Sequence, residues 1–299
     1  MPGGMGRAMK RHAFSAALLA LCLAFACAAA EPITMCGITV DTQDTAIDFG
    51  STKVKDVDAL IELIEAMPSL QKVDLYESRL SNDDMDRLFD GYPQIEFGFT
   101  VRVGNHTLRT DATAFSTLHN PKRDTEHKTR DFYALRFCTK LEALDLGHNA
   151  IVDISFLLDH PQLKVLILAC NDIRDISVLS QLTQLEYLEL FTNKFTDITP
   201  LANLTSLVDL NLSNNDITDL TPLYGLTGLE RFRLCMDGYL TNAQREALEA
   251  ALPNCAIGWK EHPTGEGWRE HPRYDVIYRI FHTGVYEPFD SDNNEEEPQ

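Results

Sequence analysis

The chain has 299 residues, 44% of them hydrophobic, with 45 acidic against 26 basic side chains and a formal net charge of −19. This length allows one large domain or two small ones. So acidic a surface repels nucleic acid and anionic membrane, which excludes both as expected partners; it suits solubility outside a cell, or a cationic partner.

Arg7, Lys10 and Arg11 precede an apolar run over residues 16–30 that ends in Ala28-Ala29-Ala30. Basic residues, a short apolar stretch and a small-x-small site predict a secretory signal peptide over residues 1–30. The run is short for a membrane span. A rival cut before Cys27 would leave a lipidated N-terminus, the second choice because Phe25 in Ala24-Phe25-Ala26 suits a lipid-attachment site poorly. Cleavage after Ala30 leaves 23 basic against 45 acidic residues, a net charge of −22, and five cysteines: Cys36, Cys138, Cys170, Cys235 and Cys255. An odd number means at least one free thiol, and none has a metal-type C-x-x-C spacing. Cys138 and Cys255 are expected as small buried residues.

Residues 31–94 carry two loose repeat units. Ile47 and Phe49 begin one, Val73 and Leu75 the next, 26 residues on. The extra length accommodates helices: Val57, Leu60, Ile61 and Ile64 form one apolar stripe, and Ser81 is placed to cap a second helix to Phe89, with Asp83, Asp84 and Asp86 near its positive end. Over residues 95–130, Ile95, Phe97, Phe99, Val101 and Val103 alternate before Gly104-Asn105, which predicts a β-hairpin. Residues 119–130 are wholly polar and read as an exposed loop. This block is either an insertion or a joint between two arrays.

From 141 to 228 four segments of 22 residues follow without a gap, within a regular block over residues 131–228. Each has Leu at relative positions 1, 4 and 6, Asn at position 9 (Asn149, Asn171, Asn193, Asn215) and Asp at position 13 (Asp153, Asp175, Asp197, Asp219). A fixed period of this size predicts a solenoid. Alternation such as Leu144-Asp145-Leu146 predicts one short strand per copy, and apolar residues in the second half, such as Ile154, Leu157 and Leu158, suit a short helix or 3₁₀ turn. Each ladder Asn has both a donor and an acceptor to offer the backbone as it leaves the sheet.

Residues 229–258 hold a decayed unit, with Leu229, Phe232 and Leu234, and a capping helix from Thr241 to Leu252 stopped by Pro253. Residues 259–286 are rich in aromatics, with the related pentapeptides Trp259–Pro263 and Trp268–Pro272, and the part from Tyr274 to Tyr286 is expected to dock on the array. The acidic segment 287–299 is expected to be disordered.

On these residues the chain resembles a leucine-rich repeat protein, and its 22-residue unit with an x-D-I/L-x-x-L second half is similar to that of secreted bacterial internalin-like proteins. The resemblance implies an α/β leucine-rich repeat solenoid, a horseshoe with a parallel β-sheet on the concave face and short helices or 3₁₀ turns on the convex face. It implies binding of macromolecules and does not imply an enzyme, and no motif in the chain calls for a cofactor.

Relative positions 3, 5, 7 and 8 of each strand are expected to point away from the Leu core. They give an apolar, aromatic centre flanked by charge, the composition of an interface centre. The expected partner-binding residues are therefore Val165, Ile167, Tyr187, Glu189, Phe191, Asp209, Arg231 and Arg233, with a protein partner ahead of a glycan. Covering of this face by the hairpin or by the C-terminal segment is the competing expectation. A hydrolase using His148 near Asp145, or metal held by His262 and His271 with Glu261 and Glu270, is the alternative from another class; a self-associating structural protein is a third. Both paired histidines precede Pro and lack helical register, which favours packing beside Trp259 and Trp268.

Overall fold

The computed structural model describes residues 32–118, 126–235, 240–260, 262–265 and 267–289. The expected signal peptide with Cys27, much of the polar loop and the acidic tail from 290 lie outside the described residues. No helix among the described residues is long and apolar enough to cross a membrane.

A small antiparallel hairpin, β1 (Pro32–Met35) and β2 (Ile38–Asp41), opens the chain and packs against helix α1 (Val57–Glu65). Three parallel strands follow, β3 (Ala46–Asp48), β4 (Lys72–Asp74) and β5 (Glu96–Gly98), with Ile47, Val73 and Phe97 in register and buried. The Asp56 carboxylate accepts from the amides of Asp58 and Ala59 to start α1, which buries Val57, Leu60, Leu63 and Ile64. Leu63 thus takes the place expected for Ile61. Ser81 caps α2 (Asn82–Gly91), its hydroxyl accepting from the Asp84 amide at 3.2 Å.

The hairpin expected from residue 95 begins later. Ile95 to Gly98 belong to the three-stranded sheet, and only β6 (Thr100–Val103) and β7 (His106–Arg109) form the hairpin around Gly104-Asn105. The chain changes partner at Phe99, whose amide donates to the Thr110 hydroxyl and whose carbonyl accepts from the Thr110 amide, both at 2.9 Å. Apolar alternation runs unbroken through this point because inward residues of both strands enter the same core. Immediately after the hairpin, β8 (Ala114–Ser116) starts a second parallel sheet. It continues through β9 (Ala143–Asp145), β10 (Val165–Ile167), β11 (Tyr187–Glu189), β12 (Asp209–Asn211) and β13 (Arg231–Arg233) to β14 (Ala256–Gly258). The hairpin is therefore a joint between a three-stranded and a seven-stranded sheet. One hydrophobic core runs beneath both, from Ile47 to Leu252.

The repeat positions acquire physical roles. Leu144, Leu166, Leu188, Leu210 and Phe232 stack in register and face the core. Convex 3₁₀ turns at Ser155–Asp159, Ser177–Gln181, Thr199–Leu201 and Thr221–Leu223 close each copy. The invariant Asp starts these turns: Asp153, Asp175 and Asp197 each accept, at 2.8 Å, from the amide two residues on, and Asp219 does so at 2.9 Å. These bonds, made to the ionised carboxylate, hold Asp175 below the usual carboxylate range.

The Asn ladder stitches copies together. Asn193 donates to the carbonyls of Leu168 and Leu190, both at 3.0 Å, and its side-chain oxygen accepts from Ile173 at 3.1 Å. Asn171 and Asn215 repeat the donor pattern one copy to either side; the Asn171 oxygen accepts from the Ile151 amide at 3.0 Å and the Asn215 oxygen from the Asn193 amide at 3.1 Å. The residue before each ladder Asn lies in the left-handed region, with φ of 59° at His148, 56° at Cys170, 58° at Thr192 and 56° at Asn214. That turn aims the amide inward.

Position 20 of the copy breaks its own rule. Leu182, Leu204 and Leu226 fill it in three copies, but the first places His160 there, equally buried. Neither ring nitrogen of His160 has a hydrogen-bond partner among the described residues. Burial pushes its pKa down to about 4, against a small opposing pull from Asp159.

Candidate functional site: the concave face and its strap

Parallel pairing in register brings the expected face together. Val165, Tyr187, Asp209 and Arg231 form one row across β10 to β13, and Ile167, Glu189, Asn211 and Arg233 form the next. Phe191 lies beyond the end of β11. The sheet thus gathers Val165, Ile167, Tyr187, Glu189, Phe191, Asp209, Arg231 and Arg233 on a single face. Their expected exposure is wrong, for each is at most 9% accessible.

The cover is the C-terminal segment. After the capping helix α3 (Asn242–Ala251), held by a reciprocal Thr241–Gln244 capping box, and strand β14, the chain turns back over the sheet. Residues 262–265 and 267–289 cross it as a strap from β13 to β8. At the near end, Arg233 donates to the carbonyls of His262, at 2.8 Å, and Gly265, and Asn211 donates to the carbonyl of Pro263 at 2.8 Å. Helix α4 (Pro272–Thr283) then lies along β8 and β9 and ends at Gly284, whose φ of +73° suits a residue without a Cβ. At the far end the Gly284 carbonyl accepts from the Ala114 amide at 3.2 Å, and the Tyr286 amide donates to the Thr113 hydroxyl at 2.8 Å.

Between these anchors lies a second core. Ile277, Ile280 and Phe281 of the strap pack with Ala114, Ala143, Val165, Ile167, Tyr187 and Phe191. Two carboxylates with no accessible surface sit at its centre. Glu189 accepts from the Trp268 indole at 2.8 Å, from Arg269 at 2.7 Å and from the Tyr187 hydroxyl. Asp209 accepts from Arg273 at 2.6 Å and, through both oxygens, from Arg231. The Arg231 guanidinium also lies 4.6 Å from the centre of the Trp268 ring, a cation–π contact. Burial first, and the Glu189 charge second, push the Tyr187 hydroxyl well above its ordinary pKa, so it stays protonated and donates.

Trp268, Arg269 and Arg273 escaped sequence reasoning, although the paired WKEHP and WREHP motifs marked the region. Opposite charge gave a signal too, since strap arginines meet two acidic strand positions. The histidines of those motifs serve local turns. His271 Nδ1 accepts from the Arg273 amide at 3.2 Å and caps α4, and His262 Nδ1 accepts from the Thr264 amide at 3.3 Å. His148 is exposed at its left-handed position. No cluster of His, Cys, Asp or Glu among the described residues could hold a metal ion. Cys36, Cys138, Cys170, Cys235 and Cys255 form no disulfide among the described residues; Cys138 is buried as expected, whereas Cys255 is half-buried.

Stacked strands, an Asn ladder and convex 3₁₀ turns define a leucine-rich repeat solenoid, and models described as leucine-rich repeats match residues 161–203, 137–154 and 203–220. The chain is similar in structure to an internalin C2 from Listeria monocytogenes, at 22% identity over 72% of this chain and 80% of that one, with a TM-score of 0.41. It is also similar to the internalin InlF from the same species, at 23% identity over 68% and 64% of the two chains and a TM-score of 0.44. The functional domain of InlJ, again from Listeria monocytogenes, gives 19% identity over 81% and 47%, with a TM-score of 0.41. These likenesses are too distant to transfer a site or a partner. No curated protein matches the sequence.

Proposed function

We propose that this chain is a secreted or surface-displayed recognition module that binds a protein partner through its concave face and performs no catalysis. One observation carries the reading: the face already holds a peptide, residues 262–289, through the chemistry of a protein–protein interface. An aromatic anchor, Trp268, sits beside arginines that satisfy buried carboxylates, and an apolar core surrounds them. Arginine and tryptophan are the residues that dominate binding energy in such settings.

The test is retention of extracellular proteins on the immobilised full-length chain. A chain with the strap loosened by Trp268→Ala/Arg273→Ala is expected to retain a protein more strongly than wild type, and adding Phe191→Ala on the face is expected to abolish that gain. Equal retention by all three chains would move the binding surface to the joint. There a groove of about 660 Å³, lined by Lys72, Tyr76, Glu96, Asp111 and Lys140 among others, remains open.

A further inference from the structure

We infer that the concave face is a receptor for a peptide that carries the pattern Trp-Arg-x-x-x-Arg ahead of an amphipathic helix, and that residues 262–289 are that ligand supplied in cis. The inference rests on the proposed binding role of the face and specifies the chemistry of the partner.

The argument starts from charge. Within the sheet Asp209 has its own partner, Arg231, which pairs with both of its oxygens. Glu189 differs: apart from the Tyr187 hydroxyl, its donors at Trp268 and Arg269 both come from the strap. A carboxylate without accessible surface is strongly unfavourable unless paired and hydrogen-bonded. With the strap lifted, Glu189 would be hydrated at the floor of an apolar cleft formed by Val165, Ile167, Tyr187 and Phe191. Such a cleft selects a ligand that brings an indole N–H, a guanidinium and apolar surface together. It rejects a ligand that places a carboxylate opposite Glu189.

The strap also meets the face as a ligand does, in three separable sections. Arg269 and Arg273 supply charge to Glu189 and Asp209, Trp268 fills the site between them, and Ile277, Ile280 and Phe281 supply one face of α4. Arg269 also lies over the Tyr274 ring of the strap, 4.3 Å from its centre.

Tethering explains how a moderate interaction holds the face closed. A short linker gives a cis ligand an effective concentration of about 1 mM, so a free competitor at micromolar concentration is at roughly a thousandfold disadvantage. A partner succeeds by presenting the same pattern with more contact surface, or when the strap is weakened.

The probe is a fluorescently labelled synthetic peptide of residues 262–289, titrated by anisotropy into the full-length protein. Wild type should bind at least about tenfold more weakly than the Trp268→Ala/Arg273→Ala chain, because its own strap competes. In that loosened chain, Glu189→Gln should weaken peptide binding about tenfold or more, and so should Arg269→Ala in the peptide. Absence of peptide binding by a loosened chain that still melts cooperatively would overturn the inference. If the loosened chain does not fold, hydrogen exchange of the wild type decides. Amides of α4 exchanging before those of β10 to β12 support a separable strap, whereas exchange in one step with the sheet overturns it. Failure of the peptide leaves the retention test intact, since a partner of different chemistry would still be retained.

Discussion

The indole of Trp268 donates a hydrogen bond of 2.8 Å to the carboxylate of Glu189, 79 residues earlier in the chain. Neither residue type belongs in the interior of a concave sheet alone: the carboxylate needs a donor, and the indole N–H needs an acceptor. Together they turn a surface expected to face solvent into a second core.

That core changes what substitutions on the face should do. Had Tyr187 and Phe191 been exposed, replacing both with Ala would leave the melting temperature nearly unchanged. Since Tyr187 is fully buried and Phe191 6% accessible beneath the strap, Phe191→Ala alone is expected to cost up to about 3–5 kcal/mol, the range for truncating a packed aromatic. Thermal melts compared with an exposed control, Tyr278→Ala, check this. A melt unchanged by Phe191→Ala would show that the strap does not pack there in solution.

Asn193→Ala tests the ladder. The substitution leaves the amide of Ile173 without the bond it makes now, while the carbonyls of Leu168 and Leu190 keep their bonds from Asn171 and Asn215, and an unpaired buried polar group costs about 1–3 kcal/mol. Chemical denaturation should show a lower midpoint and faster exchange at Ile173.

His160 sets an acid limit on stability. Its folded pKa of about 4 lies below the ordinary imidazole value of 6.5, so the unfolded chain takes up a proton that the folded chain refuses. Above pH 6.5 the ring is neutral in both states and adds no pH dependence. Stability is lost as pH falls from 6.5 toward 4, by about 3 kcal/mol in total. His160→Leu restores the residue type found at this position in the other copies and should remove that slope. Denaturation of both chains at pH 7.5 and pH 4.5 makes the comparison. Equal slopes would mean that water or a partner reaches the ring.

Much of this was legible in the residues, and the boundary between legible and hidden is physical. The Leu rows, the ladder Asn and the turn-starting Asp recur because each copy solves the same local problem, so their period announces them. Ser81 and Thr241 announce helix starts for the same local reason. The end of β5 at Gly98 could not be read, because Ile95 to Val103 bury alternate residues whichever strand they pair with. Nor could β8, whose Ala114-Phe115-Ser116 carries no leucine, or β14, which follows a helix. The eight residues of the concave face were gathered correctly, since a strand alternates sides. Their burial was not readable, because it depends on complementarity between Glu189 or Asp209 and arginines far along the chain.

Solenoids ordinarily tolerate the gain or loss of a copy, because each unit touches only its neighbours. The strap removes that freedom here. It is fixed to β13 through Arg233 and His262, and to β8 through Ala114 and Gly284, so its length is a ruler laid across the sheet. One added copy would lengthen the sheet by about 4.8 Å, drawing Arg269 off Glu189 or Gly284 off Ala114. The repeat number of this protein is therefore set from outside the repeats, and any duplication within 141–228 must be matched by a change in a segment that shares none of their pattern.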